Sequence, residues 1–147
     1  MVTSMACRRT LLGILLAVGV ATTACSGERA DGAAAAPTTA VRAEQVAPAK
    51  FAAVVADEDV VTVNVHVPDE GSIPGTDAAI PFDRIAASVD ELPQERSTQL
   101  AVYCRTGTMS AEAVQELLSL GYTDVVELRG GMEAWTADGR ELLSPVD

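Results

Sequence analysis

Short apolar stretches alternate with helix-forming stretches through the later part of this 147-residue chain. Stretches rich in Val, Ile, Leu or Ala and bounded by turn-forming residues predict strands over residues 60–66, 78–81, 100–103 and 124–128. Apolar residues at helical spacing predict helices over 82–89, from Ser110 to near Gly121, and from Gly131 onward. Strands and helices that alternate in this way predict an α/β fold with a mostly parallel central sheet covered on both faces, and such folds bind ligands at the carboxyl ends of the strands.

A cysteine follows one of the predicted strands, at the end where such folds bind ligands. Cys104 comes directly after the strand over 100–103 and begins a polar loop that leads into a helix. The other loop residues are Arg105, Thr106, Gly107, Thr108, Met109 and Ser110. Gly107 allows a tight turn, and the loop N–H groups together with the positive end of the helix dipole favour a thiolate over a thiol. We therefore interpret Cys104 as a nucleophile rather than as a buried cysteine that ends a core strand.

The first 25 residues have the composition of an export signal. A pair of arginines precedes an apolar run over residues 11–21, which is too short to span a bilayer because a spanning helix needs roughly 20 apolar residues. The run ends in a segment that resembles the lipobox of bacterial lipoproteins, although Thr22 stands where leucine is usual. We therefore predict a lipoprotein signal over residues 1–24, a diacylated Cys25, and attachment to the outer face of the cytoplasmic membrane. The alternatives are an ordinary secretory signal with Cys25 incidental, and export by the twin-arginine route.

Residues 25–50 are rich in Ala, Thr, Gly and Pro and show no apolar period, which predicts a flexible tether after the lipidated cysteine. Residues 51–147 then suffice for one compact core. Beyond the arginine pair the chain carries 8 basic and 21 acidic residues, a formal charge of −13. We expect so acidic a chain to bind neither nucleic acid nor anionic headgroups, so that membrane attachment would depend on the lipid.

The three cysteines of the chain have different expected fates. Cys7 would be removed with the signal and Cys25 would be lipidated, which leaves Cys104 as the single thiol of the exported domain. This count excludes a disulfide bond within that domain. A lone thiol in an oxidising compartment is a liability unless it has a use, which favours chemistry at Cys104.

Three segments, in this order and spacing, resemble the rhodanese-like domain family over nearly all of residues 51–147. The loop 104–110 is similar to the family's C-R-x-G-x-R-S active loop, and residues 129–135 are similar to its late G-G-M-x-A-W segment. Residues 73–75 are similar to its H-I-P-G-A element, with Ser72 where a histidine is common. The resemblance implies a three-layer α/β/α domain and a cysteine that carries sulfane sulfur as a persulfide. It also implies transfer of that sulfur to a thiol or to cyanide, and we expect neither a cofactor nor a metal ion.

Two departures from the family bear on the substrate. Met109 occupies the loop position where an arginine would help to hold thiosulfate, and losing one such contact costs about 1.5–3 kcal/mol, or roughly 10- to 150-fold in affinity. Residues 64–66 read Asn-Val-His where the family often has D-V-R. Asn64, His66 and Met109 also resemble a set found together in some exported rhodanese-like proteins. An apolar residue at position 109 suits a polysulfide or persulfide donor better than a doubly charged oxyanion.

Four polar residues in or near the loop also have expected roles. His66 is the only histidine and therefore the only candidate imidazole base. We expect it to end a core strand and to bond to backbone, and the alternative is that it faces the active loop. Arg105 is expected to face the substrate rather than to form a structural ion pair. Asp69 and Glu70 are expected to be solvated loop charges.

Three functions of different classes fit these observations. We favour an exported, lipid-anchored sulfurtransferase that moves sulfur from a small donor through a Cys104 persulfide to a thiol or to cyanide. The second is a binding module that kept the fold and lost turnover, for which Met109 is an argument. The third is a phosphatase or an arsenate reductase, but the loops of those enzymes are one residue longer and close with an arginine, which residues 106–111 lack. The sequence identifies no protein partner.

Overall fold

The computed structural model describes residues 41–145, which form five strands and three helices. In chain order the elements are β1 (Arg42–Val46), α1 (Pro48–Val55), β2 (Val61–Asn64), β3 (Ala78–Ala79), β4 (Leu100–Tyr103), α2 (Thr108–Ser119), β5 (Asp124–Leu128) and α3 (Gly131–Ala137). The four predicted strands are confirmed as β2 to β5, and the helices predicted after them as α2 and α3. The predicted signal over 1–24 and the lipidation site Cys25 lie outside the described residues. Within those residues, no helix combines the length and the apolar character needed to cross a membrane.

All the strands of residues 41–145 run parallel in one sheet, in the order β1-β5-β4-β2-β3. β4 is the central strand, and every one of its residues is buried. This is why its sequence is a continuous apolar run instead of an alternating one. Cys104 follows directly, so the candidate nucleophile lies at the carboxyl end of the central strand, as predicted.

The two faces of the sheet carry separate apolar clusters, because successive strand residues point to opposite sides. α2 covers one face, where Val102 packs with Leu117. α1 and α3 cover the other face, where the ring of Phe51 meets Tyr103 and Trp135 edge-on, with centroid distances of 6.2 and 6.4 Å. The domain therefore has three layers, α/β/α, as the family resemblance implied.

The folded region begins earlier than the sequence indicated, so the tether predicted over 25–50 extends too far. β1 pairs with β5 over all 5 of its residues, and α1 begins at Pro48. Of residues 43–46, Val46 alone is buried, because β1 lies at the edge of the sheet. A strand with one buried side chain has no apolar period, and sequence reasoning misses it for that reason.

The helix predicted over 82–89 is wrong. The chain there forms two short 3-10 turns, Phe82–Arg84 and Val89–Glu91. Ile85 is the one buried residue of 82–89, and the partly buried Phe82 packs against the same apolar cluster. A two-turn α-helix needs a stripe of buried side chains to be held in place, and this segment does not supply one.

The first turn of α3 packs directly against the loop that follows β4. The N–H groups of Met132 and Glu133 donate to the carbonyl oxygens of Cys104 and Arg105, at 2.9 and 3.0 Å. Gly131 has φ of +57°, and a Cβ atom there would lie 2.3 Å from the carbonyl oxygen of Cys104. Both its backbone conformation and this close approach exclude a side chain at Gly131.

We expect Gly131→Ala to lower the free energy of unfolding by about 2–5 kcal/mol, because a left-handed alanine costs about 1–2 kcal/mol and overpacking about 1–3 kcal/mol more. Gly139→Ala is the matched control, since Gly139 has φ of +79° and no atom within 4 Å of an added Cβ. Only the conformational cost applies to the control. Urea unfolding of both variants measures the difference, and equal losses would show that the contact at Gly131 is unimportant.

Candidate active site

The sulfur of Cys104 lies between the end of β4 and the start of α2. Cys104 is 1% exposed; its Sγ accepts the N–H of Gly107 at 3.0 Å and lies 3.5 Å from Ser110 Oγ. Gly107 has φ of +103° and α2 begins at the next residue, so Thr108, Met109 and Ser110 form the first helical turn instead of extending the loop. A backbone N–H and a helix N-terminus thus meet the sulfur, and both favour negative charge there.

The residues of the loop and of this first helical turn differ in exposure. Arg105, Thr106 and Thr108 are exposed, and Met109 is half-buried against the apolar cluster that includes Cys104. Ser110 is fully buried. Residues 105–109 can therefore meet a substrate, whereas Ser110 contacts the sulfur from within the domain.

Arg105 does form ion pairs, which corrects the expectation that it faces the substrate unpaired. Its Nη1 donates to Glu70 Oε1 at 2.9 Å and its Nε donates to Glu133 Oε1 at 3.1 Å. Glu70 is likewise an ion-pair partner and not the solvated loop charge expected from the sequence. These partners lie 35 and 28 positions away along the chain, so no local pattern reveals them. Each pair is largely exposed and contributes little stability, but together they occupy the guanidinium.

His66 is connected to the loop through Glu70. Its side chain is 8% exposed, and its Nε2 lies 2.9 Å from Glu70 Oε2. Because a carboxylate only accepts, Nε2 carries the hydrogen, and Nδ1 is buried without a partner among the described residues. Neither sequence interpretation of His66 is complete: the residue does follow a core strand, but its side chain bonds to a carboxylate that in turn binds Arg105.

Two buried side chains hold the segment between β2 and β3 in place. Asn64 accepts the N–H of His66 at 3.0 Å and donates to the carbonyl of Gly71 at 3.1 Å. The hydroxyl of Tyr103 accepts the N–H of Ile73 at 2.9 Å. Burial raises the pKa of Tyr103, so this hydroxyl stays neutral. Glu70 belongs to the segment fixed in this way, which explains how it is held in reach of the loop.

A cleft of about 290 Å³ opens beside the loop. It is lined by Glu70, Arg105, Met132, Glu133, Thr136 and Leu142. Its charged lining consists of two carboxylates and the one guanidinium that they share, so the excess charge is negative. This lining suits a neutral or cationic ligand better than a dianion. Across residues 41–145, His, Cys, Asp and Glu side chains form no group of three or more that could hold a metal ion.

Sequence reasoning missed Glu127, which contacts Ser110. Glu127 is 8% exposed on β5; its Oε1 accepts the Ser110 hydroxyl at 2.7 Å and its Oε2 accepts Gln45 Nε2 at 3.2 Å. A strand covered on both faces is normally a continuous apolar run, so a carboxylate within β5 was the available signal.

Comparison with known proteins gives the family. The sequence model of the rhodanese-like domain matches residues 48–138. A protein named sulfurtransferase from Allochromatium vinosum is 35% identical over 91 residues, which are 60% of this chain and 82% of that protein. The protein named probable adenylyltransferase/sulfurtransferase MoeZ from Mycobacterium tuberculosis is 39% identical over 77 residues. That match covers 50% of this chain but only 19% of MoeZ, so the chain spans about a fifth of this longer relative.

The solved structures agree with the sequence comparison. A rhodanese-related protein from Thermoplasma volcanium superposes with a TM-score of 0.58 at 27% identity, covering 68% of this chain and 97% of that one. The segment matched by the family model contains β4, Cys104 and α3, which together build the site described above. The chain belongs to the rhodanese-like domain family.

Proposed function

We propose that this protein is a sulfurtransferase that carries sulfane sulfur as a persulfide on Cys104 and delivers it to a thiol or to cyanide. The observation that supports this most directly is the position of the Cys104 sulfur at the N-terminus of α2, where it accepts the Gly107 N–H at 3.0 Å. The sulfurtransferase relatives support the same class of reaction.

The proposed reaction has two displacements at sulfur. The Cys104 thiolate attacks the sulfane sulfur of the donor, a new S–S bond forms, and the donor remainder leaves with the electron pair of the broken bond. The acceptor, a thiolate or cyanide, then attacks the outer sulfur of the persulfide and releases Cys104 as a thiolate. Negative charge returns to the same sulfur at the end of each cycle, where the Gly107 N–H and the helix dipole stabilise it.

The charges around the loop favour a donor that is not a dianion. Glu70 and Glu133 occupy the guanidinium of Arg105, and Met109 adds an apolar surface. A persulfide or a hydropolysulfide carries one negative charge where thiosulfate carries two, so its binding is weakened less when no unpaired guanidinium faces it. We therefore assign the donor to the polysulfide or persulfide class.

We expect Cys104 to gain about 32 Da on incubation with polysulfide and to lose it again to cyanide or a thiol, because persulfidation adds one sulfur atom. Cys104→Ser should abolish the transfer and keep the fold, since serine is close to cysteine in volume. Mass spectrometry of the peptide that contains residue 104 measures the first effect, and thiocyanate formation measures the second. If the serine variant transfers sulfur as fast as wild type, Cys104 is structural; if no donor modifies wild type, the protein is a binding module.

We expect Met109→Arg to raise kcat/KM for thiosulfate by about 10-fold or more, because it supplies a guanidinium that Glu70 and Glu133 do not occupy. The polysulfide reaction should change much less. Steady-state rates with thiosulfate and with polysulfide measure this difference between the donors. Met109→Gln is the matched control that adds polarity without charge. A wild type that already uses thiosulfate as fast as the arginine variant would contradict the donor assignment.

The proposed location is the outer face of the cytoplasmic membrane, with the domain held by a diacylated Cys25. This proposal depends on the basic, apolar and small-residue pattern before Cys25. We expect Cys25→Ala to yield a protein without the lipid mass at its mature N-terminus, whereas Cys7→Ala should be lipidated normally. Intact-mass analysis of the membrane fraction makes the comparison. A wild-type protein that is lipid-free and begins at another residue would overturn the anchoring.

A further inference from the structure

Behind the sulfur of Cys104, two buried polar side chains form a chain of hydrogen bonds. Ser110 Oγ lies 3.5 Å from Cys104 Sγ and 2.7 Å from Glu127 Oε1. Ser110 is fully buried and Glu127 is 8% exposed. The family resemblance predicts none of the carboxylate's contacts, and the sulfur-transfer steps above do not use it.

The Ser110 hydroxyl has one hydrogen and three neighbours that can accept it. They are Glu127 Oε1 at 2.7 Å, the Gly107 carbonyl at 3.1 Å and Cys104 Sγ at 3.5 Å. An ionised carboxylate at the shortest distance takes the hydrogen, because a charge-assisted bond is stronger than a neutral one. Oγ then presents a lone pair to the thiol, which donates its S–H. The hydrogen bonds therefore all point the same way: the thiol donates to the hydroxyl, and the hydroxyl donates to the carboxylate.

We propose that, in molecules whose Cys104 is protonated, Glu127 receives the thiol proton through the Ser110 hydroxyl and so allows the thiol form to react as well. As the sulfur attacks an electrophile, the S–H bond breaks and its proton passes to Ser110 Oγ, while the original hydroxyl hydrogen passes to Glu127 Oε1. Ser110 ends as a neutral hydroxyl and Glu127 ends as a neutral acid. The electron pair of the broken S–H bond forms the new bond to the electrophile. Glu127 is a positioning residue in this scheme, because it acts on the sulfur through Ser110.

The surroundings of Glu127 suit this role. Gln45 binds its second oxygen at 3.2 Å, which fixes the carboxylate and leaves Oε1 for Ser110. A cleft of about 160 Å³, lined in part by Gln45, Gln115 and Glu127, gives the proton a route to solvent.

The other charged groups near this chain of hydrogen bonds are engaged elsewhere. Glu44 of β1 lines the same cleft and pairs with Lys50 at 2.7 Å. Arg129, after β5, donates to the Gln45 carbonyl at 3.1 Å. On the loop side, Arg105 pairs with Glu70 and Glu133, and His66 binds Glu70. Glu127 is therefore the titratable group that Ser110 contacts besides the cysteine itself.

Alkylation of Cys104 by iodoacetamide in the full chain tests the proposal. Trypsin releases residues 97–105 as one peptide, so mass spectrometry follows this cysteine separately from the others. A cysteine that reacts only as its thiolate loses about tenfold in rate for each pH unit on the acid side. As the pH is lowered, we expect the alkylation rate of wild type to fall by less than tenfold per pH unit. The alkylation rate of Glu127→Gln should fall by the full tenfold per pH unit. At pH near 6 the variant should then be slower by about tenfold or more, with similar rates at high pH.

Ser110→Ala should give the same steep dependence of alkylation rate on pH. Combining it with Glu127→Gln should cause no further loss of rate, because both residues act in one proton path. Gln115→Met is the matched control: it changes another polar side chain that lines the same cleft but is not a hydrogen-bond partner of Glu127, and it should keep the gentle profile of wild type. Parallel profiles for wild type and Glu127→Gln, or a variant that is faster at every pH, would overturn the proposal. If Glu127→Gln does not fold, the Ser110→Ala profile decides alone. Alkylation involves no sulfur transfer, so this test can succeed or fail independently of the sulfurtransferase activity.

Discussion

The site depends on two hydrogen bonds that join the first turn of α3 to the loop after β4. Met132 and Glu133 donate their N–H groups to the carbonyls of Cys104 and Arg105. In a planar trans peptide the N–H points opposite to the C=O, so fixing these carbonyls toward α3 turns the following N–H groups away from it. The orientation of the first two peptide groups of the loop therefore depends on a helix that lies almost thirty residues further along the chain.

This dependence links the late Gly-Gly pair of this chain to its cysteine loop through backbone contacts. Gly131 lets the carbonyls of residues 104 and 105 approach α3 closely, and Gly107 lets the chain enter α2. Their shared role is to bring three backbone segments together at the carboxyl end of the central strand, where the Gly107 N–H meets the Cys104 sulfur.

The sequence predicts the strands and helices with many buried residues, but not the edge strand β1 or the 3-10 turns of the 82–89 segment. β4 is covered on both faces and is a continuous apolar run, and β5 has three buried apolar residues around Glu127. In α2 the buried residues lie on one face, which gives a clear helical spacing. β1 buries one of residues 43–46 and the 82–89 segment buries only Ile85, and with so few buried positions there is no period to detect. Within the site, Cys104 was predicted from its local context. The partners of Arg105 and Ser110 were not, because ion pairs and hydrogen bonds between distant segments leave no local pattern.

The position of β1 has a further consequence for the integrity of the sheet. Within residues 41–145, β1 is the first strand and pairs with β5, the last, with residue 42 opposite residue 124. Without β1, the backbone N–H and C=O groups of β5 would form an unpaired edge open to strands of other molecules. The short polar strand Arg42–Val46 therefore acts as a cover against self-association. A chain shortened to residue 51 would lose both that cover and the Gln45 amide that holds Glu127, so that aggregation and a disturbed active site would arise from the same cut.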